Sequence, residues 1–298
     1  MGEYWKKFGN MRPMIPASIQ SQLKLWLKDD FTASPVGGGS INQAYKLSTG
    51  ARRYFCKVNS RSTYPSLFAY EKQGLQLLAQ HGVIRVPKVL WITEAGDHQV
   101  LVIEWIEQGL KTAGFWKNFG RQVAALHHRQ AERFGLHTDN YMGSLPQTNT
   151  WHTDWSAFFI HQRLQPQIKL ALQQKLLEPS HVQAFERLYK KIPEIFPTEP
   201  PCLLHGDLWS GNFLCDDREQ PVLIDPAVYY GHRSIDLAMT TLFGGFDGLF
   251  YESYHHYYPL PANYRQQWYI CNLYPLLVHL NLFGKSYLAD ILHTIRRY

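Results

Sequence analysis

A chain of 298 residues can bury a large core in one or two domains, and its 45% hydrophobic and 18% charged residues are the composition of a soluble protein with rather few charges. The net charge of +6 raises the question of nucleic acid, but Lys and Arg form no dense run and no DNA- or RNA-binding signature is present, so none is expected as a partner. No segment is long and apolar enough to span a membrane, and residues 1–10 carry neither a signal-peptide apolar run nor the Ser or Thr of a myristoylation signal; a cytoplasmic location is the default expectation.

Ile19, Leu23, Trp26 and Leu27 recur at helical spacing and predict a helix over 17–29. Residues 36–47 read as strand, glycine turn, strand, and Arg53-Tyr54-Phe55-Cys56-Lys57-Val58 as a third strand. A helix over 64–80 places Leu67, Tyr70, Gly74, Leu75 and Leu78 on or near one face. Strands at 87–91 and 99–106 flank a turn at Ala95-Gly96-Asp97, completing a small α+β lobe. Beyond Ile106 the pattern turns helical, at 115–129, 153–176, 179–192 and 262–296, around an irregular stretch at about 130–152. The expected division is 1–104 and 105–298, with a hinge near 104–109. Cys56, Cys202, Cys215 and Cys271 lack metal-ligand spacing and are expected as reduced, buried thiols. His127-His128 and His255-His256 lack zinc-site spacing and are read as surface or helix-packing residues.

The most informative segment is Leu203-Leu204-His205-Gly206-Asp207-Leu208-Trp209-Ser210-Gly211-Asn212, followed by Asp225 at the end of the apolar run Pro221-Val222-Leu223-Ile224. An Asp, then an Asn in the same glycine-punctuated loop, then a second Asp on the next hairpin is the order found in phosphotransferases of the protein-kinase kind. Phosphoryl transfer needs an in-line nucleophile and neutralised phosphate charge. Asp207 is the candidate to accept the hydroxyl proton, and Asn212 and Asp225 offer oxygen ligands of the type Mg²⁺ prefers. Such Asp-Gly and Ser-Gly-Asn clusters also occur as ordinary turns, so the surrounding parts decide. Gly37-Gly38-Gly39-Ser40 lies between two strands, where backbone N–H groups can approach nucleotide phosphates, and no Walker A sequence follows. Lys57 ends the next strand, the place of a phosphate-pairing Lys, and Glu71 in the following helix is its natural partner.

The runs His205-Gly206-Asp207-Leu208-Trp209-Ser210-Gly211-Asn212, Asp225-Pro226-Ala227, Tyr230-Gly231-His232-Arg233 and Asp236-Leu237-Ala238-Met239 resemble the fructosamine kinase (ketosamine-3-kinase) family, within the wider aminoglycoside- and choline-kinase-like group. The resemblance covers nearly the whole chain. It implies a two-lobed protein-kinase-like fold of α+β class, with a small antiparallel-sheet N-lobe and a mainly helical C-lobe. It implies ATP and Mg²⁺ as cofactors, and adenine binding by the backbone of Glu104, Trp105 and Ile106. It also implies a reaction in which the 3-hydroxyl of a ketosamine is phosphorylated so that the amine is freed. Trp209 is expected to wall the sugar; Arg233 and Asp236 are expected to fix the segment after Asp225 by an ion pair or helix cap. Ser40 stands where some members carry a redox-active Cys, which puts a disulfide switch in doubt. The rival readings are a kinase of another hydroxyl compound, such as an aminoglycoside or choline, and a pseudokinase that only binds. An acidic pocket would favour the aminoglycoside, and Asp216-Asp217 is the only acidic cluster near the loop. The intact Lys57, Asp207, Asn212 and Asp225 argue against a pseudokinase.

Overall fold

The computed structural model describes residues 15–37 and 41–298; Gly38, Gly39 and Ser40 of the expected phosphate loop lie outside them. The chain divides into two units, Met1–Lys72 with Pro87–Trp105, and Gln73–Val86 with Ile106–Tyr298. Gln73–Val86 thus counts with the second unit, whereas the sequence reading kept it in the first.

The first unit is a five-stranded antiparallel sheet and a helix. Helix α1 (Ala17–Leu27) precedes strands β1 (Thr32–Pro35), β2 (Gln43–Thr49) and β3 (Arg52–Ser60). Helix α2 (Leu67–His81), whose first residues belong here, leads to β4 (Val89–Ala95) and β5 (His98–Glu104), and the sheet order is β1-β2-β3-β5-β4. Alternation explains the core. Tyr45 and Leu47 of β2, Cys56 and Val58 of β3, and Val100 and Val102 of β5 join Ile15, Ile19 and Leu23 in one apolar cluster. Lys57 takes the opposite face, where it is nonetheless buried, in register with Leu101.

The second unit is mostly helical. Helix α3 (Ala113–His127) is N-capped by Thr112, whose hydroxyl accepts from the Phe115 N–H at 3.2 Å. A hairpin of β6 (Asn140–Met142) and β7 (Leu145–Gln147) occupies the stretch that reads as irregular in sequence. The single helix expected over 153–176 is instead α4 (Trp155–Phe158), a π-helical turn at Phe159–Leu164, and α5 (Gln165–Gln173). After α6 (Pro179–Ile195) come β8 (Cys202–Leu204), β9 (Phe213–Cys215), β10 (Pro221–Leu223) and β11 (Tyr229–Gly231). Two helices, α7 (Ser234–Met239) and α8 (Gly248–Tyr257), give no sequence periodicity: all six residues of α7 are buried, and α8 is crowded with aromatics. The last expected helix is broken into α9 (Tyr264–Cys271), α10 (Leu273–Phe283) and α11 (Leu288–Ile295). Pro275, which has no N–H to give the preceding turn, stands in the first turn of α10, and Gly284 at φ 90° ends it. All four cysteines are free and buried, and burial pushes the Cys56 thiol up to about 12.

His232 is a buried imidazole opposed to protonation. Its ring lies between Trp155 and Phe196, with centroids at 5.6 and 5.2 Å, and its Nδ1 accepts from the Ser234 N–H. Burial pushes it down to about 4, although Glu199 lies 3.6 Å away. An unfolded chain protonates this imidazole near the ordinary His value, so stability present above pH 6.5 is lost as the pH falls toward 4. This one group accounts for a loss of roughly 3 kcal/mol at most. Denaturant titrations of the wild type and His232→Gln between pH 7 and 4.5 check this. The wild type is expected to lose stability more steeply with acid, and parallel curves would show that His232 contributes nothing.

Candidate active site

Two short antiparallel pairings assemble the loop that carries Asp207. β8 pairs with β11, Leu204 facing Tyr229, and β9 pairs with β10, Phe213 facing Leu223. Residues 205–212 and 224–228 are therefore drawn together. The Ile224 N–H donates to the Asn212 carbonyl at 3.0 Å, and the Ala227 N–H to the His205 carbonyl at 2.9 Å. Buried His205 donates Nε2–H to the Ile224 carbonyl at 2.9 Å, and its Nδ1 accepts from the Asp207 N–H at 3.3 Å. Gly206 sits at φ 85°, and a Cβ there would lie 2.1 Å from the Ala227 oxygen, so only glycine fits this turn.

A buried carboxylate fastens the loop from below. Asp236 of α7 accepts the N–H groups of His205 and Gly206, each at 2.8 Å, one on each oxygen. His127 of α3, fully buried, meets the same carboxylate through Nε2 at 3.2 Å, and its Nδ1 lies 2.9 Å from the Tyr254 hydroxyl. The carboxylate claims the Nε2 proton, which leaves Nδ1 to accept from Tyr254. The sequence reading missed both roles. It gave Asp236 an ion pair or helix cap after Asp225, and His127 a packing place. The acidic residue near the start of a helix was the only available sign of the first; nothing in the spacing marks the second.

At the head of the loop, the Asn212 amide donates through Nδ2 to the Asp207 carbonyl oxygen at 2.9 Å and to its carboxylate at 2.8 Å. This fixes both side chains and turns Asn212 Oδ1 away. Among the described residues no donor reaches that oxygen, so it is available as a metal ligand. Asp225, one residue past the Ile224–Asn212 pairing, has φ 54°, a left-handed conformation uncommon outside glycine. Asn212 and Asp225 thus flank the open end of the β9–β10 hairpin, and one amide and one carboxylate oxygen suit Mg²⁺, which keeps most of its shell for water and phosphate. Asp207 is only half-covered, yet burial pushes its carboxyl up to about 7; the Asn212 hydrogen bond opposes this, and the negative charges of Asp225 and Asp236 add to it.

In the first unit, Lys57 Nζ lies 2.6 Å from Glu71 Oε1, with both side chains largely buried. Gly37 has open space where a side chain would project. The Glu104 N–H donates to the Lys88 carbonyl at 2.9 Å, which removes that amide from the set available to adenine. Trp105 packs under the Lys46 ammonium, 4.4 Å from its ring centroid, and beside Phe55. Ile106, buried, belongs to the second unit.

Three other second-unit positions bear on acceptor chemistry. The Trp209 ring folds over Gly211, where a Cβ would come within 2.4 Å of it, and meets the edge of Phe243 at 5.6 Å. Arg233 forks onto Glu199, at 2.8 and 2.9 Å, and lies 3.8 Å over the Tyr258 ring, which makes it structural. Asp216 is buried, paired with Arg85 and bonded by the N–H groups of Arg218 and Gln220. That carboxylate is therefore withdrawn from any polycationic acceptor.

Residues 16–298 match the family model described as fructosamine kinase. The chain belongs to the fructosamine kinase family. Within it, a probable ketoamine kinase of Synechocystis is 40% identical over 85% of this chain and 85% of its own. The chloroplastic protein-ribulosamine 3-kinase of Arabidopsis thaliana is 37% identical over 88% and 81%. The crystal structure of a fructosamine-3-kinase candidate from Thermobifida fusca superposes with a TM-score of 0.83 at 31% identity, covering 94% of this chain and 97% of that one. The fold is the protein-kinase-like one, a small antiparallel sheet unit and a helical unit. Among the described residues no helix is long and apolar enough to cross a membrane.

The Lys57–Glu71 pair yields a quantitative expectation. Lys57→Ala is expected to lower kcat/KM for ATP, Glu71→Ala to do so less, and the double change to fall short of their sum by about 0.5–3 kcal/mol. A double-mutant cycle on purified proteins measures this; strictly additive losses would show that the two do not act as a unit.

Proposed function

We propose that this protein is an ATP- and Mg²⁺-dependent ketosamine 3-kinase, transferring the γ-phosphoryl group to the 3-hydroxyl of a sugar joined to an amine by non-enzymatic glycation. The observation that carries the reading is the Asp207 carboxylate, held by the Asn212 amide beside Asp225, in a chain that matches the fructosamine kinase model almost throughout. The names of the relatives, ketoamine kinase and protein-ribulosamine 3-kinase, support this acceptor class.

In this reading Asp207 receives the hydroxyl proton as the oxygen attacks, and its raised affinity for a proton suits a base working near neutral pH. Asn212 Oδ1 and the Asp225 carboxylate would hold the Mg²⁺. When bound, that ion neutralises charge developing between the phosphates. Lys57, aimed by Glu71, pairs with the α- and β-phosphates, and the run Gly37-Gly38-Gly39-Ser40 is assigned to the same phosphates from its sequence alone. The backbone of Trp105 and Ile106 is assigned to adenine, with Glu104 contributing only through its carbonyl. Trp209 gives the sugar an apolar wall. Once the ketosamine enolises with loss of a C1 proton, the 3-phosphate leaves by β-elimination, and water hydrolyses the resulting imine to release the amine. The withdrawal of Asp216 into its own turn disfavours the aminoglycoside alternative.

Asp207→Asn is expected to lower kcat by about 10²–10⁴-fold while leaving ATP affinity within a few-fold. Retention of more than about a tenth of the wild-type kcat would remove Asp207 from the role of base. The acceptor is tested by turnover of fructosamines and ribulosamines on lysine, alongside choline and an aminoglycoside, with phosphorus NMR of the product. Phosphate on the 3-hydroxyl followed by free amine is expected. Turnover of choline or the aminoglycoside alone would transfer the chain to another substrate class.

A further inference from the structure

Arg163 is an unusual resident of the second unit's core. It lies in the π-helical turn at Phe159–Leu164, fully buried, and among the described residues no carboxylate comes within ion-pair distance of it. Such an insertion in a helix re-aims side chains and is frequent near functional sites. A buried charge without a partner is costly unless it is densely hydrogen-bonded. Arg163 Nη1 donates to the carbonyls of Thr148 at 2.6 Å and Gln162 at 3.0 Å, and Nη2 to Asn149 Oδ1 at 2.6 Å. The guanidinium also stands 3.9 Å over the Tyr229 ring and 4.6 Å over that of Phe158.

From Arg163 a chain of buried amides runs to the backbone just past Asp225. Asn149 donates through Nδ2 to Asn140 Oδ1 at 3.1 Å, and Asn140 donates to the Val228 carbonyl at 2.8 Å. Gln147 donates to Asn140 Oδ1 at 2.7 Å and to the Ala227 carbonyl at 3.2 Å; its own oxygen accepts from the Tyr274 hydroxyl at 2.7 Å. The Ala227 oxygen so held is the one that packs against Gly206, next to Asp207. Asp225, two residues before it, is in the left-handed conformation that surrounding structure must impose on a non-glycine residue. The Arg163 guanidinium also stands 5.5 Å from the centroid of the buried Tyr274 ring, whose hydroxyl holds Gln147.

We infer that Arg163 is a positioning residue for phosphoryl transfer: through Asn149, Asn140 and Gln147 it fixes the carbonyls of Ala227 and Val228, and so the placement of Asp225 for its metal ion. The inference rests on Asp225 being a metal ligand.

Binding of Mn²⁺ in the presence of ADP, followed by the electron paramagnetic resonance of free Mn²⁺, tests this independently of turnover. Arg163→Lys, which keeps the charge but loses the fork, and Gln147→Leu are each expected to weaken Mn²⁺ binding on the order of tenfold. They should raise the Mg²⁺ concentration for half-maximal kcat by a similar factor, with KM for the ketosamine within about twofold. Tyr274→Phe, an almost isosteric change that leaves the buried Gln147 oxygen without its donor, is expected to fold with a somewhat lowered Tm and to weaken Mn²⁺ binding by a few-fold. If folded Arg163 and Gln147 variants bind Mn²⁺ as the wild type does, the proposal is overturned. If they do not fold, Tyr274→Phe decides, and unchanged affinity there overturns it equally. Asp225→Ala is the control on the underlying reading. It should abolish protein-bound Mn²⁺, leaving the free-ion signal at its level with ADP alone, and if it does not, Asp225 is not the ligand and both assignments fall.

Discussion

The second unit's chemistry hangs on one carboxylate. Asp236 accepts the backbone N–H groups of His205 and Gly206, and without it those two buried donors have no partner. The turn they form decides where Asp207 stands, and the left-handed Gly206 within it decides how closely Ala227 can approach. The carboxylate is itself held by His127, from a helix far away in the sequence. The candidate base is therefore positioned by α3 and α7 as much as by its own loop, and hydrogen bonds to a charged acceptor, being among the stronger ones, suit that purpose.

Much of this is legible in the chain because the chemistry fixes residue types at close spacing. Asp207 and Asn212 lie on one loop, Asp225 follows one short hairpin later, and a Lys on a strand before a helical Glu identifies Lys57 and Glu71. The small sheet is legible for a related reason: Tyr45, Leu47, Cys56 and Val58 alternate as a half-buried strand must. What is not legible depends on tertiary company. α7 is buried on every side and so carries no period. The helix expected over 153–176 contains a π-helical turn that carries the buried Arg163, and nothing in the spacing of the sequence marks either. The stretch about 130–152 reads as irregular because its strands are three residues each and its polar side chains face inward. The same physical reason hides Asn140, Gln147 and Asn149: buried amides look like loop residues until their partners are known.

The second unit treats its charges in contrasting ways. Glu199 and Arg233 neutralise each other through a forked pair, and Asp216 is satisfied by Arg85 and two backbone donors. Asp207 is half-covered and accepts the Asn212 amide, and Arg163 has no carboxylate partner among the described residues.

The left-handed backbone at Asp225 bears on how this protein can lose its activity without losing its shape. Aspartate, asparagine and glycine occupy that region far more readily than other residues do. A change to either of the latter two removes the negative charge and leaves the turn unburdened. Gly206 behaves oppositely, since any side chain there strikes Ala227 and disturbs folding along with chemistry. Variation at the two positions would therefore separate: one kind visible in the amount of protein a cell accumulates, the other, with Asp225 as the proposed metal ligand, visible only in lost turnover.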